Sequence, residues 1–230
     1  MWRQKQGSGT LLNTQVKYDN NPLLLSDAIN YLKARKMSFK EPELWNLLYT
    51  ICHAEEEYGR VSGHQGKLVD IRPVNIFLSD KGKARVANPL SWPGMETNEA
   101  KIKNGEIVFL APEELKKLKD GEIIVPDSDS NEMFAIGMTM LSAGILKDSE
   151  DLYDYKQYTF DYEEADTRIN FWLTRNQYTE NLRMLVAYMC SYRQYKRWTI
   201  DELWKWLGKN RVKIGANEFH GHQEKLPEMF

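Results

Sequence analysis

The hydrophobic period of the chain changes at Val69-Asp70-Ile71-Arg72-Pro73-Val74-Asn75-Ile76-Phe77-Leu78. Three polar residues, Asp70, Arg72 and Asn75, lead into an apolar triplet. Asn75-Ile76-Phe77-Leu78-Ser79 and Ala84-Arg85-Val86-Ala87 read as short strands. Asp80-Lys81-Gly82-Lys83 joins them as a hairpin, with glycine at the position that requires a positive φ. Upstream the period is helical. Leu44, Leu47, Leu48, Ile51 and Cys52 recur at i, i+3, i+4, i+7 and i+8 behind Pro42, predicting a helix that ends near Tyr58-Gly59. Before it, Ser26 is the expected N-cap of a helix running through Ile29 and Leu32 to about Lys36.

Downstream, residues 88–107 are loop-like, with Pro89, Pro93 and Gly94. Ala111-Pro112-Glu113-Glu114-Leu115 then opens a short helix, with proline at its first position, acids in its first turn and Gly121 as its stop. From Met133 to Leu146 the chain is apolar nearly all round, the pattern of a helix buried on every side. Leu182, Leu185, Val186 and Met189 mark another amphipathic helix. Thr199-Ile200-Asp201-Glu202 is a capping box for a last one, expected to end at Gly208.

Composition bounds the function classes. The chain has 230 residues, 42% hydrophobic and 28% charged, enough to bury a sizeable core and to exclude wholesale disorder. Its net charge of -2 lacks the basic excess of a dedicated nucleic-acid binder. Two cysteines, Cys52 and Cys190, both in apolar helical patterns, fit a reducing compartment rather than a disulfide framework. No apolar run approaches the roughly 20 residues of a membrane span, and the start of the chain has no apolar core of a secretory signal. Residues 147–166 interleave many acids with Tyr153, Tyr155, Tyr158 and Tyr162. They are expected to form a solvated loop region. The alternative is an acidic, aromatic face for a basic partner, with Asp151, Tyr153, Asp154, Tyr155, Tyr158 and Tyr162 as its candidate residues. His220, His222 and Glu224 in the polar tail are a weak metal pattern, so no metal site is assigned.

The 69–78 stretch resembles a protein-kinase catalytic loop, in which an Asp is followed five residues later by an Asn and then by an apolar strand. Asp70 and Asn75 have that spacing. Ala84-Arg85-Val86-Ala87-Asn88-Pro89-Leu90 resembles the strand entering the Asp-Phe-Gly motif. Phe109-Leu110-Ala111-Pro112-Glu113 is similar to the Ala-Pro-Glu motif, and Asn131-Glu132-Met133-Phe134-Ala135-Ile136-Gly137 to the start of the buried central helix of the large lobe. Arg197 lies where kinases place the arginine that pairs with the Ala-Pro-Glu carboxylate, here Glu113. Five such features in order over about 130 residues are specific where each alone is weak.

The resemblance implies a mainly α fold: a kinase-like large lobe over residues 23–207 with one or two short β-hairpins. An arm (1–22) and a tail (208–230) flank it. With only 22 residues ahead of the first helix, no N-terminal β-sheet lobe is expected. It also implies damaged chemistry. The metal-ligating Asp is replaced by Asn88, a poorer oxygen donor for Mg²⁺. Pro89-Leu90 stand for Phe-Gly, Val69 stands for the arginine before the catalytic Asp, and Arg72 replaces the catalytic-loop lysine. Asp70 and Asn75 remain, with a local hydrogen-bonding role expected for Asp70. Glu113, Arg197 and Glu132 are expected to be structural, the first two as a buried pair. The expectation is therefore a catalytically inactive, intracellular scaffold without cofactor, bound to other protein subunits in a larger assembly. A cytoplasmic setting of cytoskeletal or ciliary type is favoured over a mitochondrial or other organellar one. The alternatives are a peptide-binding module similar to the kinase non-catalytic C-lobe domain, whose natural ligand at residues 147–166 is a basic peptide, and a residual nucleotide binder.

Overall fold

A computed structural model describes residues 23–62, 70–78, 84–86, 102–122 and 129–210. Among them are seven helices and five short strands. The helices are α1 (Leu25–Ala34), α2 (Glu41–Ser62), α3 (Pro112–Lys119), α4 (Asp129–Ile145), α5 (Tyr162–Leu173), α6 (Glu180–Met189) and α7 (Ile200–Asn210). The strands are β1 (Leu23–Leu24), β2 (Ile76–Leu78), β3 (Ala84–Val86), β4 (Tyr153–Asp154) and β5 (Thr159–Phe160). The fold is mainly helical, with short antiparallel strands.

Helix α4 is the axis. Every residue from Ser130 to Gly144 is buried, and α4 touches α1, α2, α5, α6 and α7. Two of its hydroxyls are answered from inside. Thr139 Oγ1 donates to the carbonyl of Ile71 at 2.8 Å. Ser142 lies 2.8 Å from the Met138 carbonyl and 2.8 Å from the Ser149 hydroxyl. Two glycines set how closely neighbours approach. A Cβ on Gly137 would sit 2.6 Å from Met189 Cβ, and one on Gly144 would sit 2.2 Å from the ring of Trp172. Trp172 is fully buried, and its indole N–H donates to the Arg183 carbonyl at 2.9 Å, so the ring has no room to retreat.

Strands β2 and β3 pair antiparallel, with Ile76 opposite Val86 and Leu78 opposite Ala84, while the turn expected over residues 80–83 lies outside the described residues. The sheet has a third strand that the sequence pattern does not announce, because Leu23 and Leu24 pair with Leu78 and Phe77. That pairing moves the start of α1. Its N-cap is Leu24 in extended conformation, and Ser26 lies inside the helix rather than capping it. Helix α2 runs through Gly59 to Ser62, and α7 through Gly208 to Asn210, so neither glycine acts as the stop. The α7 capping box is reciprocal: Thr199 N–H donates to Glu202 Oε2 at 2.8 Å and Glu202 N–H to Thr199 Oγ1 at 3.2 Å. At the end of α3, Gly121 takes φ +75° and Glu122 N–H closes on the Lys117 carbonyl at 2.8 Å, the left-handed helix stop that glycine favours. Cys52 and Cys190 are free and buried. Helix α5, by contrast, lies partly in a region expected to be loop.

The Gly144–Trp172 contact yields a direct test. Alanine in a helix gains about 1 kcal/mol over glycine, but a methyl forced into a rigid ring costs more, so Gly144→Ala is expected to lose about 1–2 kcal/mol net. The urea midpoint reads this out, and an unchanged or higher midpoint contradicts the packing described.

Candidate functional site

The polar stretch from Asp70 to Asn75 builds an ion-pair cluster with Glu150. Arg72 grips Asp70 with two hydrogen bonds, Nε to Oδ1 at 2.5 Å and Nη2 to Oδ2 at 2.8 Å. Its remaining nitrogen, Nη1, donates to Glu150 Oε1 at 3.0 Å. Asn75 Nδ2 donates to the backbone carbonyl of Asp70 at 3.3 Å, folding the loop on itself. Both Asp70 and Arg72 are nearly withdrawn from solvent, with side-chain exposures of 7% and 9%. Burial acts to lower the Arg72 pKa, but the carboxylates of Asp70 and Glu150 more than offset this and hold it above its ordinary value. Burial pushes the Glu150 carboxyl up, with Asp148 adding repulsion and Arg72 pulling the other way. Asn88 lies outside the described residues.

The segment leading to Ala111-Pro112-Glu113 is pinned from a distance. Tyr153 Oη donates to the Leu110 carbonyl at 3.0 Å, and Tyr155 Oη donates to the Val108 carbonyl. The rings of Phe109, Tyr153 and Tyr155 stack in series, each pair 5.7 Å apart. Burial raises the pKa of both tyrosines. Glu114 Oε2 accepts from the Ala111 N–H at 2.8 Å, and burial raises its carboxyl. Glu113 and Arg197 are brought together across 84 residues as an ion pair. The Arg197 side chain is fully buried and Glu113 is 24% exposed. Glu132 is buried near the start of α4.

Residues 147–166 are not the expected solvated loop. They form a 3₁₀ turn (Glu150–Leu152), the β4–β5 hairpin and the start of α5. Their acids are spent locally. Asp148 accepts from Glu150 N–H, Asp154 from Lys156 N–H, and Asp161 caps α5 through Glu164 N–H. Asp151 and Glu164 are gathered by Arg168, which the sequence reading did not single out. Its Nη1 and Nη2 reach the two Asp151 oxygens at 2.8 Å each, and its Nε reaches Glu164 at 2.8 Å. Lys147 adds a second bond to Glu164 at 2.7 Å. The proposed acidic, aromatic partner face is therefore divided. Tyr153 is buried and the Tyr155 hydroxyl is committed inward. Tyr158 is half-buried in a left-handed turn at φ +49°. Asp151, Asp154 and Tyr162 are exposed. The signal for Arg168 was present: Asp161 and Glu164 at capping spacing, then Ala165, Arg168 and Trp172 along one helical stripe.

Among the described residues no group of His, Cys, Asp and Glu is arranged to hold a metal ion, and no helix is long and apolar enough to cross a membrane. His220, His222 and Glu224 lie outside the described residues. No protein-family model matches the chain, and no curated protein matches its sequence.

Two measurements follow from these contacts. In the Glu113–Arg197 pair the buried member is the cation, so deleting its partner strands a charge. Glu113→Ala is expected to cost about 3–5 kcal/mol, and Arg197→Met less, because Glu113 is the more exposed member of the pair; the reverse order in urea unfolding contradicts the geometry. The second concerns acid. Hydrogen bonds from Lys147 and then Arg168 hold Glu164 down to about 2, and Arg168 also lowers Asp151. Carboxyls depressed in the folded state stabilise it above their unfolded pKa values and lose that contribution as the pH falls through the folded ones. The stability advantage of the native chain over Arg168→Met should therefore shrink between about pH 4.5 and pH 2. An advantage that stays constant across that window rules the network out as its source.

Proposed function

We propose that the chain is a non-catalytic, protein-kinase-like large lobe that acts as a protein–protein interaction module within a larger assembly. The observation that carries this is the state of Asp70. At the position of a phosphotransfer base, both of its carboxylate oxygens are held by Arg72, and Arg72 is tied in turn to Glu150 on another part of the chain. A general base must come within hydrogen-bond reach of the substrate proton it takes, and a carboxylate gripped on both oxygens and only 7% exposed leaves a substrate hydroxyl little approach. Here the carboxylate instead joins two loops. Asn88-Pro89-Leu90 in place of a metal-binding Asp-Phe-Gly supports the same reading, since an amide oxygen is a weak ligand for Mg²⁺. The Thr139 bond to Ile71 and the Glu113–Arg197 pair lock the kinase-like joints as architecture.

The peptide-receptor alternative at residues 147–166 has less support. Several of the acids there that would attract a basic peptide already serve Arg168, Lys147, Arg72 and local backbone N–H groups.

Thermal unfolding with ATP and Mg²⁺ tests the proposal. A nucleotide at 100 times its Kd would stabilise the fold by about 2.7 kcal/mol. No shift is expected with millimolar ATP and Mg²⁺, either for the native chain or for Arg72→Met, in which the Asp70 carboxylate is released. A Mg²⁺-dependent rise in Tm, or phosphotransfer by either protein, overturns it.

A further inference from the structure

Most of the arginines at the joints of the fold have carboxylate partners: Arg72, Arg168 and Arg197. Among the described residues other exposed cations have none, and four of them follow closely on one another in sequence. At the end of α1 and in the turn beyond it, Lys33, Arg35, Lys36 and Lys40 all face solvent, and none has a carboxylate partner among the described residues. The two acids that follow in sequence are occupied. Glu41 accepts from Trp45, Thr179 N–H and the Thr179 hydroxyl, and Glu43 accepts from Lys40 N–H. Attraction of cations to a helix C-terminus accounts for Lys33 in the last turn and fades beyond it; it does not account for Lys40. Within this cationic surface lie two exposed apolar side chains, Tyr31 at 50% and Met37 at 54%. The turn is fixed rather than loose: Lys36 takes φ +56°, and Met37 N–H bonds the Leu32 carbonyl at 3.0 Å.

The guanidinium of Arg35 lies on the face of Tyr31, 3.6 Å from the ring centroid. That contact restricts the guanidinium while Arg35 stays exposed, and a guanidinium fork with free donors can bind a carboxylate bidentately. The exposed apolar area there is Tyr31 and Met37 alone, less than a bilayer anchor needs, and a chain with a net charge of -2 lacks the basic excess of a dedicated nucleic-acid binder.

We infer that the exposed end of α1 and the turn after it, with Tyr31, Lys33, Arg35, Lys36, Met37 and Lys40, dock an acidic protein segment, a carboxylate-rich stretch of a partner subunit with an apolar residue that meets Met37. Charge complementarity supplies the attraction, on a chain whose overall charge is -2. The Arg35 fork supplies the orientation. The inference rests on the interaction-module reading and gives its partner a chemistry.

The experiment titrates the full chain with a fluorescein-labelled peptide of repeated Glu-Glu-Leu units, followed by fluorescence anisotropy. The native chain is expected to bind, with affinity falling steeply as salt rises. The triple variant Lys33→Glu, Arg35→Glu, Lys36→Glu should lose about tenfold or more in affinity. Tyr31→Ala, which frees Arg35, should lose about threefold. The matched reversal Lys116→Glu, Lys117→Glu, Lys119→Glu on α3 should change affinity less than about twofold. Circular dichroism and Tm, expected to be unchanged in these surface variants, separate lost binding from lost fold. Equal loss in both triple variants, no binding by the native chain, or preference for phosphatidylserine vesicles or a single-stranded oligonucleotide each overturns the inference. A nucleotide-driven rise in Tm would sink the interaction-module reading and leave this titration unaffected, so the two failures are distinguishable.

Discussion

A helix with no polar face must be enclosed, and α4 is such a helix. Burying an unbroken stretch from Ser130 to Gly144 commits five other helices to surround it. It also requires that every hydroxyl on it find a partner in the dry interior, since an unmet buried hydroxyl costs about 1–3 kcal/mol. Thr139 meets that demand by reaching the Ile71 carbonyl, so the core helix itself fixes the loop that carries Asp70, Arg72 and Asn75. Ser142 meets it through Ser149, at the entry to the 150–160 region. The polar positions of the central helix are thus the points where the surface loops are tied to the core. The glycines at 137 and 144 are where α6 and the Trp172 side chain of α5 come close enough to finish the enclosure.

Long apolar stripes were legible in the sequence because a 3.6-residue period needs no knowledge of the rest of the fold. Helices α2, α4, α6 and α7 follow from such stripes, and the β2–β3 pairing follows from two apolar runs separated by a turn. Boundaries were less legible where tertiary contacts decide them. Leu24 rather than Ser26 begins α1 because β1 has already paired with β2. Gly59 and Gly208 lie within helices that continue past them.

The region at 147–166 illustrates a deeper ambiguity. A run of acids has the same composition whether it is hydrated or consumed by neighbours. The cations that consume it include Arg72, 78 residues before Glu150, and Arg168, 17 residues after Asp151. Spacing sets Arg168 one turn after Glu164 on α5, but it does not show the pairings with Glu150 and Asp151. The Glu113–Arg197 contact, equally remote, was anticipated only through resemblance to a family in which two such positions meet.

Charge density in a sequence is therefore a poor guide to where a protein meets a partner, and charge pairing in the fold is a better one. A cation already hydrogen-bonded to a carboxylate offers little to an incoming group, because the new contact must first compete with the old. The acidic region at 147–166, dense in sequence, is largely spent on Arg168, Lys147, Arg72 and backbone caps. The cations at 33–40 are fewer, yet they have no carboxylate partner among the described residues. Exposed like charges held close together repel one another, and this repulsion is relieved when a group of opposite sign arrives. The Arg35–Tyr31 stack adds direction to that relief. A surface that is mildly unfavourable alone and improved by a ligand of defined charge and shape has the energetic form of a binding site.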